Sequence, residues 1–178
     1  MKKTKPSLKS CVRSIPDFPK PGILFRDITT LLQDKRAFKQ ALDCLVKKYK
    51  NKKIDLVAAV EARGFIVGGA VARGIGAGFV PVRKKGKLPW KTNSVTYQLE
   101  YGTDTLEMHQ DAIKPGDRVL IVDDLLATGG TVKAVTELVE QKRGEIAGIA
   151  FLIELVDLKG KDKLKDYPIH SLIKFHGE

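Results

Sequence analysis

The sequence predicts an α/β fold: a mostly parallel, twisted sheet flanked by helices. Two observations lead there. Largely apolar runs at 54–60, 78–83, 119–122 and 146–153 read as short buried strands, because residues shielded on both sheet faces need not alternate. Between several of them lie stretches with apolar residues at helical spacing. Strands alternating with helices build a mainly parallel sheet covered on both sides.

Length and composition bound the reading. At 178 residues the chain is expected to form one domain, 1–178, with a buried core. Its 43% hydrophobic and 30% charged residues are ordinary for a soluble protein. No apolar run approaches the ~18 residues of a membrane span. The basic start has no apolar signal core behind it, so a cytoplasmic location is expected. Cys11 and Cys44 form no motif and suit a reducing compartment. A net charge of +11 raises nucleic acid, a membrane surface or a polyanionic substrate as partners. The lysines are spread, however, over the N-terminus, 47–53, 84–91 and 159–165. The 47–53 group ends a predicted helix, where cations oppose the negative end of the dipole. Most of this charge is solvated surface, and only the group starting at Lys84 stands where chemistry is expected.

In chain order, residues 8–15 suit a short helix. Pro16, Pro19 and Pro21 then exclude regular helix, and Pro21-Gly22 favours a turn. Asp34 is placed to cap a helix reaching about Lys50, with Phe38, Ala41, Leu42, Leu45, Val46 and Tyr49 as its core stripe. The strand at 54–60 ends in Glu-Ala-Arg-Gly-Phe (61–65), followed by a helix of small residues. The strand at 78–83 runs into Arg-Lys-Lys-Gly-Lys-Leu-Pro (83–89), broken by Gly86 and Pro89. Residues 94–101 alternate, with Val95, Tyr97 and Leu99 on one side. With 103–108 they predict a two-stranded, mobile excursion turning at Tyr101-Gly102. Lys-Pro-Gly-Asp (114–117) turns into the strand at 119, and 169–175 alternates like an edge strand. The three histidines show no metal spacing, and no Gly-x-Ser-x-Gly element is present.

One stretch carries the most chemistry. Asp123 and Asp124 follow the apolar strand where it would leave the sheet. Ala127, Thr128, Gly129, Gly130 and Thr131 then form a small-residue loop, and Val132, Val135, Leu138 and Val139 start a helical stripe. Open α/β sheets bind ligands at such a loop, outside the carboxyl end of a strand. The glycines let backbone approach an anion, helix-start N–H groups point at phosphate oxygens, and two threonine hydroxyls add donors. No lysine stands in the loop, which excludes the Gly-x-x-x-x-Gly-Lys nucleotide loop. Ionised carboxylates only accept hydrogen bonds, so their natural partners are sugar hydroxyls. A ribose 5-phosphate satisfies both halves.

Val-Asp-Asp-Leu-Leu-Ala-Thr-Gly-Gly-Thr (122–131) resembles the 5-phosphoribosyl-1-pyrophosphate (PRPP) motif of type I phosphoribosyltransferases, in the form carried by members that use adenine. The resemblance runs from Phe18 to Lys161 through five motifs in family order. It implies the type I fold, with residues 1–33 forming a small hood over the active site and the 94–108 excursion acting as a mobile flap. Phe-Pro-Lys-Pro-Gly-Ile-Leu-Phe-Arg-Asp (18–27) is similar to the family's purine segment. There Leu24 and Arg26 present backbone groups to the base edge and Phe25 stacks on the ring; read alone, Phe25 is a core aromatic. Arg63 and Gly64 match the pyrophosphate loop, and a guanidinium fork suits a diphosphate. Arg83, Lys84 and Lys87 are implied near the same group. Leu-Glu-Tyr-Gly (99–102) matches the catalytic flap, where Glu100 serves the purine's imidazole nitrogen and Tyr101 excludes water. Leu155, in Glu-Leu-Val-Asp-Leu-Lys-Gly (154–160), is implied as a wall of the base pocket. Lys161 stands where the family more usually has arginine.

The implied reaction converts adenine and PRPP to AMP and pyrophosphate. Mg²⁺ is held mainly by substrate phosphates and water, with no direct protein ligand. A homodimer is expected, and neither nucleic acid nor membrane is an expected partner. The alternatives are the same transfer to hypoxanthine, guanine or xanthine, a non-catalytic PRPP-sensing regulator, and a basic nucleic-acid binder.

Overall fold

The computed structural model describes residues 7–98 and 102–177. The chain opens with a 3-10 helix, Leu8–Cys11, and strand β1, Arg13–Ile15. The helix expected over 8–15 is thus only half formed, because long-range pairing overrides the local preference. Strand β1 runs antiparallel to β2 (Phe25–Asp27), with Arg13 opposite Asp27. Arg13 Nη2 lies 2.6 Å from Asp27 Oδ2. The Thr29 hydroxyl and N–H donate to the same carboxylate at 2.7 and 2.8 Å. The Thr29 bonds first, and then Arg13, bring the Asp27 carboxyl down to about 2.

Helix α1 (Thr29–Gln33) is too short to show a period in sequence. Helix α2 (Lys35–Tyr49) starts where expected: the Asp34 carboxylate accepts from the N–H groups of Arg36 and Ala37 at 2.8 and 3.1 Å. It buries Ala37, Ala41, Leu45 and Tyr49, while Phe38, Leu42 and Val46 flank that line half-buried.

Strand β3 (Leu56–Val60), helix α3 (Arg63–Ile75) and strand β4 (Gly78–Lys84) follow. Then come β5 (Thr92–Gln98) and β6 (Thr103–His109), an antiparallel ribbon that matches the expected excursion. Strand β7 (Arg118–Leu126), helix α4 (Gly130–Gln141), strand β8 (Glu145–Leu155) and strand β9 (Ile169–Phe175) complete the chain, with 3-10 turns at Val156–Leu158 and Gly160–Leu164.

Among the described residues seven strands form the main sheet, in the order β5-β6-β4-β3-β7-β8-β9. From β4 to β9 all neighbours are parallel, and the ribbon adds antiparallel pairs at one edge. Residues 119–122 explain why β7 is central. Val119 and Ile121 pack with Val132, Val135 and Leu138 of α4. Leu120 and Val122 point the other way and pack with Ala41 and Leu45 of α2 and Val67 and Val71 of α3. All four are fully buried, each worth roughly 1.5–3 kcal/mol relative to exposure.

Strand β7 runs further than its apolar run suggests. Asp123 pairs with Phe151, Leu125 with Ile153 and Leu126 with Glu154, so the acids lie within the strand and not beyond it. The ladder with β8 keeps the backbone extended while the side chains change character. Being parallel, β3, β7 and β8 bring their carboxyl ends, and the segments after them, to one edge of the sheet.

The Asp27 staple has a pH signature. Its folded value is depressed, so its stabilisation is fully present above the ordinary carboxylate range near pH 4 and is lost as pH falls through about 2. Chemical unfolding of wild type and Asp27→Asn across this range should give curves that separate above pH 4 and converge towards pH 2.

Candidate active site

The paired acids sit at the end of β7 facing the start of α3. Arg63 Nε lies 2.5 Å from Asp124 Oδ2. Asp123 Oδ1 accepts from the Asp124 N–H at 2.9 Å. Both are buried, at 8% and 7% exposure, which is unusual for carboxylates. Gly64 makes this possible, since a Cβ there would stand 2.8 Å from Asp123 Oδ1. Burial, and then the neighbouring charge of Asp124, pushes the Asp123 carboxyl well above its ordinary value.

Three residues on, the chain turns into α4. Gly129 has φ +79°, and a Cβ on it would come within 2.4 Å of the Gly160 carbonyl oxygen. The turn therefore lies backbone to backbone against the 3-10 segment Gly160–Leu164. Among the described residues no side chain caps α4, and the first N–H groups of a helix lack intrahelical partners. A positive helix end lined with amides is an anion seat. Arg63, Asp123, Asp124 and residues 125–132 line one cavity of 220 Å³. That is below the ~300–1,000 Å³ of sites for larger ligands, and it suits a sugar phosphate.

The proposed base segment meets this cavity at Arg63. Its guanidinium carbon lies 5.6 Å from the centroid of the Phe25 ring, within cation–π range. Phe18 packs edge-on to Phe25 at 5.1 Å. Arg26 directs its guanidinium away, 4.0 Å over the Phe175 ring and 2.5 Å from Ser14 Oγ. That leaves main chain as what this position can offer a base. Leu155 ends β8 opposite Phe175, and Leu24 lies half-buried just ahead of β2.

Comparison with known proteins now bears on these features. Residues 28–176 match the phosphoribosyl transferase domain family. The chain belongs to that family. It is 59% identical over 172 residues to the adenine phosphoribosyltransferase of Bradyrhizobium sp. (strain ORS 278), covering 96% of each chain. The crystal structure of the enzyme of that name from Thermoanaerobacter pseudethanolicus is 55% identical with a TM-score of 0.91, over 94% of this chain and 98% of that one. The Saccharomyces cerevisiae enzyme, solved with D-2,5-dideoxy-2,5-imino-altritol 1,6-bisphosphate and adenine, is 41% identical with a TM-score of 0.87, over 93% and 96% of the two chains.

In this phosphoribosyltransferase the basic stretch that ends β4 and continues beyond it gathers on a residue that sequence reasoning passed over. Glu61 Oε2 accepts from Arg83 Nε and Nη2 at 3.1 and 3.0 Å. Its Oε1 accepts from the Lys84 N–H at 2.8 Å and lies 3.3 Å from Lys87 Nζ. Burial opposes the charge on Glu61, but these donors outweigh it and hold the carboxyl below its ordinary value. Lys84 Nζ is 2.9 Å from Asp104 Oδ2, a bond that raises the lysine and lowers the acid. Arg83, Lys84 and Lys87 are thus brought together, but on Glu61 and Asp104 and not on the cavity's wall. Glu61 sits two residues before Arg63, so the basic cluster borders the cavity without lining it. A lone acid beside an arginine gives little sign of this in sequence; its partners arrive only when β3 and β4 pair.

Glu100 and Tyr101, the residues assigned to catalysis, lie outside the described residues. Among the described residues no group of three or more His, Cys, Asp or Glu could cage a metal. Asp123 and Asp124, both buried and the second held by Arg63, are compatible with a Mg²⁺ that arrives on substrate phosphates.

Two variants test this geometry. Gly129→Ala must place a side chain at positive φ and against the Gly160 carbonyl; strain of ~1–3 kcal/mol in the turn predicts a roughly 5- to 150-fold weaker affinity for ribose 5-phosphate by calorimetry. Asp123 is raised on folding, so it costs stability increasingly as pH rises above the ordinary carboxylate value. Asp123→Asn should therefore melt higher than wild type at pH 7, lose that advantage near pH 4, and lose turnover at every pH.

Proposed function

We propose that the chain transfers the 5-phosphoribosyl group of PRPP to adenine, giving AMP and pyrophosphate, a purine-salvage reaction. One observation carries the reading: a single cavity joins two carboxylates to an amide-lined turn, with an arginine on its wall that lies beside an aromatic ring. Full-length relatives named for this reaction support the choice of base.

Asp123 and Asp124 take the ribose hydroxyls, and residues 127–131 take the 5′-phosphate. Arg63, Gly64 and the cluster of Arg83, Lys84 and Lys87 serve the diphosphate. As the bond from C1′ to the pyrophosphate oxygen breaks and the bond to adenine nitrogen forms, the ribose gains oxocarbenium character. The two acids favour that positive charge. Negative charge grows on the leaving group, where each charged hydrogen bond contributes about 1.5–3 kcal/mol. Drawing Arg63 towards the diphosphate also releases Asp124 to accept from the sugar. Mg²⁺ bound to the substrate's phosphates supplies further charge neutralisation.

Phe25 stacks on adenine, main-chain groups of Leu24 and Arg26 read its edge, and Leu155 closes the pocket. Glu100 hydrogen-bonds the imidazole ring and, as a carboxylate, accepts the proton that adenine gives up as its nitrogen bonds C1′, and Tyr101 excludes water from the ribosyl cation. The proposal treats 1–178 as one domain, with 1–33 as its hood and the β5–β6 ribbon as its flap. It also includes a homodimer and a cytoplasmic location, with which the free thiols of Cys11 and Cys44 agree.

Incubation with PRPP, Mg²⁺ and each purine base in turn should yield AMP from adenine far faster than any other product. Buried groups that pair with an amino edge are left unpaired by an oxo edge. A preference for hypoxanthine, guanine or xanthine would reassign the base, and binding without turnover would favour a PRPP sensor. Glu100→Ala should cut kcat by ~10²–10⁴-fold while PRPP affinity by calorimetry stays near wild type.

A further inference from the structure

The strand leading into 99–101 touches the anion seat itself. Tyr97 of β5 is half-buried against the α4 core. The Thr131 hydroxyl donates to Tyr97 Oη at 3.4 Å. One residue earlier, a Cβ on Gly130 would stand 3.3 Å from the Gln98 carbonyl oxygen and 3.7 Å from Tyr97 Cδ2. Two consecutive residues of the seat thus meet two consecutive residues of β5, one pair through a hydroxyl bond and the other by close backbone approach. Val95, further back on the strand, is buried with Val132 and Val135 of α4. Helix start and strand end are one packed unit.

A hydroxyl has one proton to donate and two lone pairs to accept with, so either member of this pair can donate to the other. A proton that Thr131 gives to Tyr97 is not available to a phosphate oxygen, which can only accept.

We infer that Tyr97 is a positioning residue for the 5′-phosphate, acting through Thr131. With phosphate bound, Tyr97 O–H donates to Thr131 Oγ1, and the Thr131 proton turns to a phosphate oxygen. Hydroxyl protons rotate freely, so this arrangement moves no heavy atom far. In the resulting chain each bond polarises the next. The same contact ties occupancy of the seat to β5. This inference rests on the phosphate seat proposed above.

Calorimetry with ribose 5-phosphate and, separately, pyrophosphate tests it on wild type, Tyr97→Phe, Thr131→Val and the double variant. Tyr97→Phe should weaken ribose 5-phosphate roughly 2- to 10-fold, the span of one neutral hydrogen bond, and leave pyrophosphate unchanged. Thr131→Val should weaken it more, Thr131→Ser should restore it, and Tyr97→Phe should add nothing in the Thr131→Val background. Unchanged ribose 5-phosphate affinity in Tyr97→Phe or in Thr131→Val would overturn the inference. So would an equal loss for both ligands, or a loss undiminished in the double variant. Wild type failing to bind ribose 5-phosphate would instead remove the phosphate seat, and this inference with it.

Discussion

Two carboxylates buried side by side at the end of a central strand are the constraint to which the surrounding structure answers. Burying an acid without a partner costs several kcal/mol, and this chain buries a pair. One guanidinium, from Arg63, meets Asp124, and a main-chain N–H meets Asp123. Asp123 is left held above its ordinary value. A core selected for stability alone would place apolar side chains here, as β7 does four times just upstream. Departures of this kind from good packing mark sites kept for chemistry.

The neighbouring features follow from making room for that pair. Gly64 withholds a side chain so that α3 can start against Asp123. Gly129 and Gly160 do the same for each other, which lets the turn after β7 lie on the turn after β8 with no side chain between. The parallel sheet is what makes the convergence possible. Segments after β3, β7 and β8 come from distant parts of the sequence but emerge at one edge. The antiparallel ribbon β5–β6 then brings a different kind of element, a strand end, to the start of α4.

Much of this was legible in the sequence where local signals carry the physics. The four apolar residues at 119–122, the cap at Asp34 and the alternation in 94–98 each appear as the element they suggest. The turn at 127–131 was legible because its glycines and threonines stand between an apolar strand and a helical stripe, where exposed N–H groups collect. What failed to show depends on distant partners. Residues 8–15 are part strand because Arg13 finds Asp27, and β7 extends past its apolar run because β8 continues beside it. Glu61 looks like an ordinary turn acid until β4 delivers Arg83, Lys84 and Lys87 to it. Tyr97 reads as one apolar position in an alternating strand, and only the packed structure sets its hydroxyl against Thr131.

On the proposed function, paired acids and the adjoining amide turn together seat a phosphorylated ribose. The decisive measurement is a crystal structure with ribose 5-phosphate bound. Sugar hydroxyls are expected within hydrogen-bond distance of Asp123 and Asp124, and phosphate oxygens on the N–H groups of residues 128–131. A sugar phosphate seated elsewhere, with the turn at 127–131 empty and Arg63 still on Asp124, would contradict it.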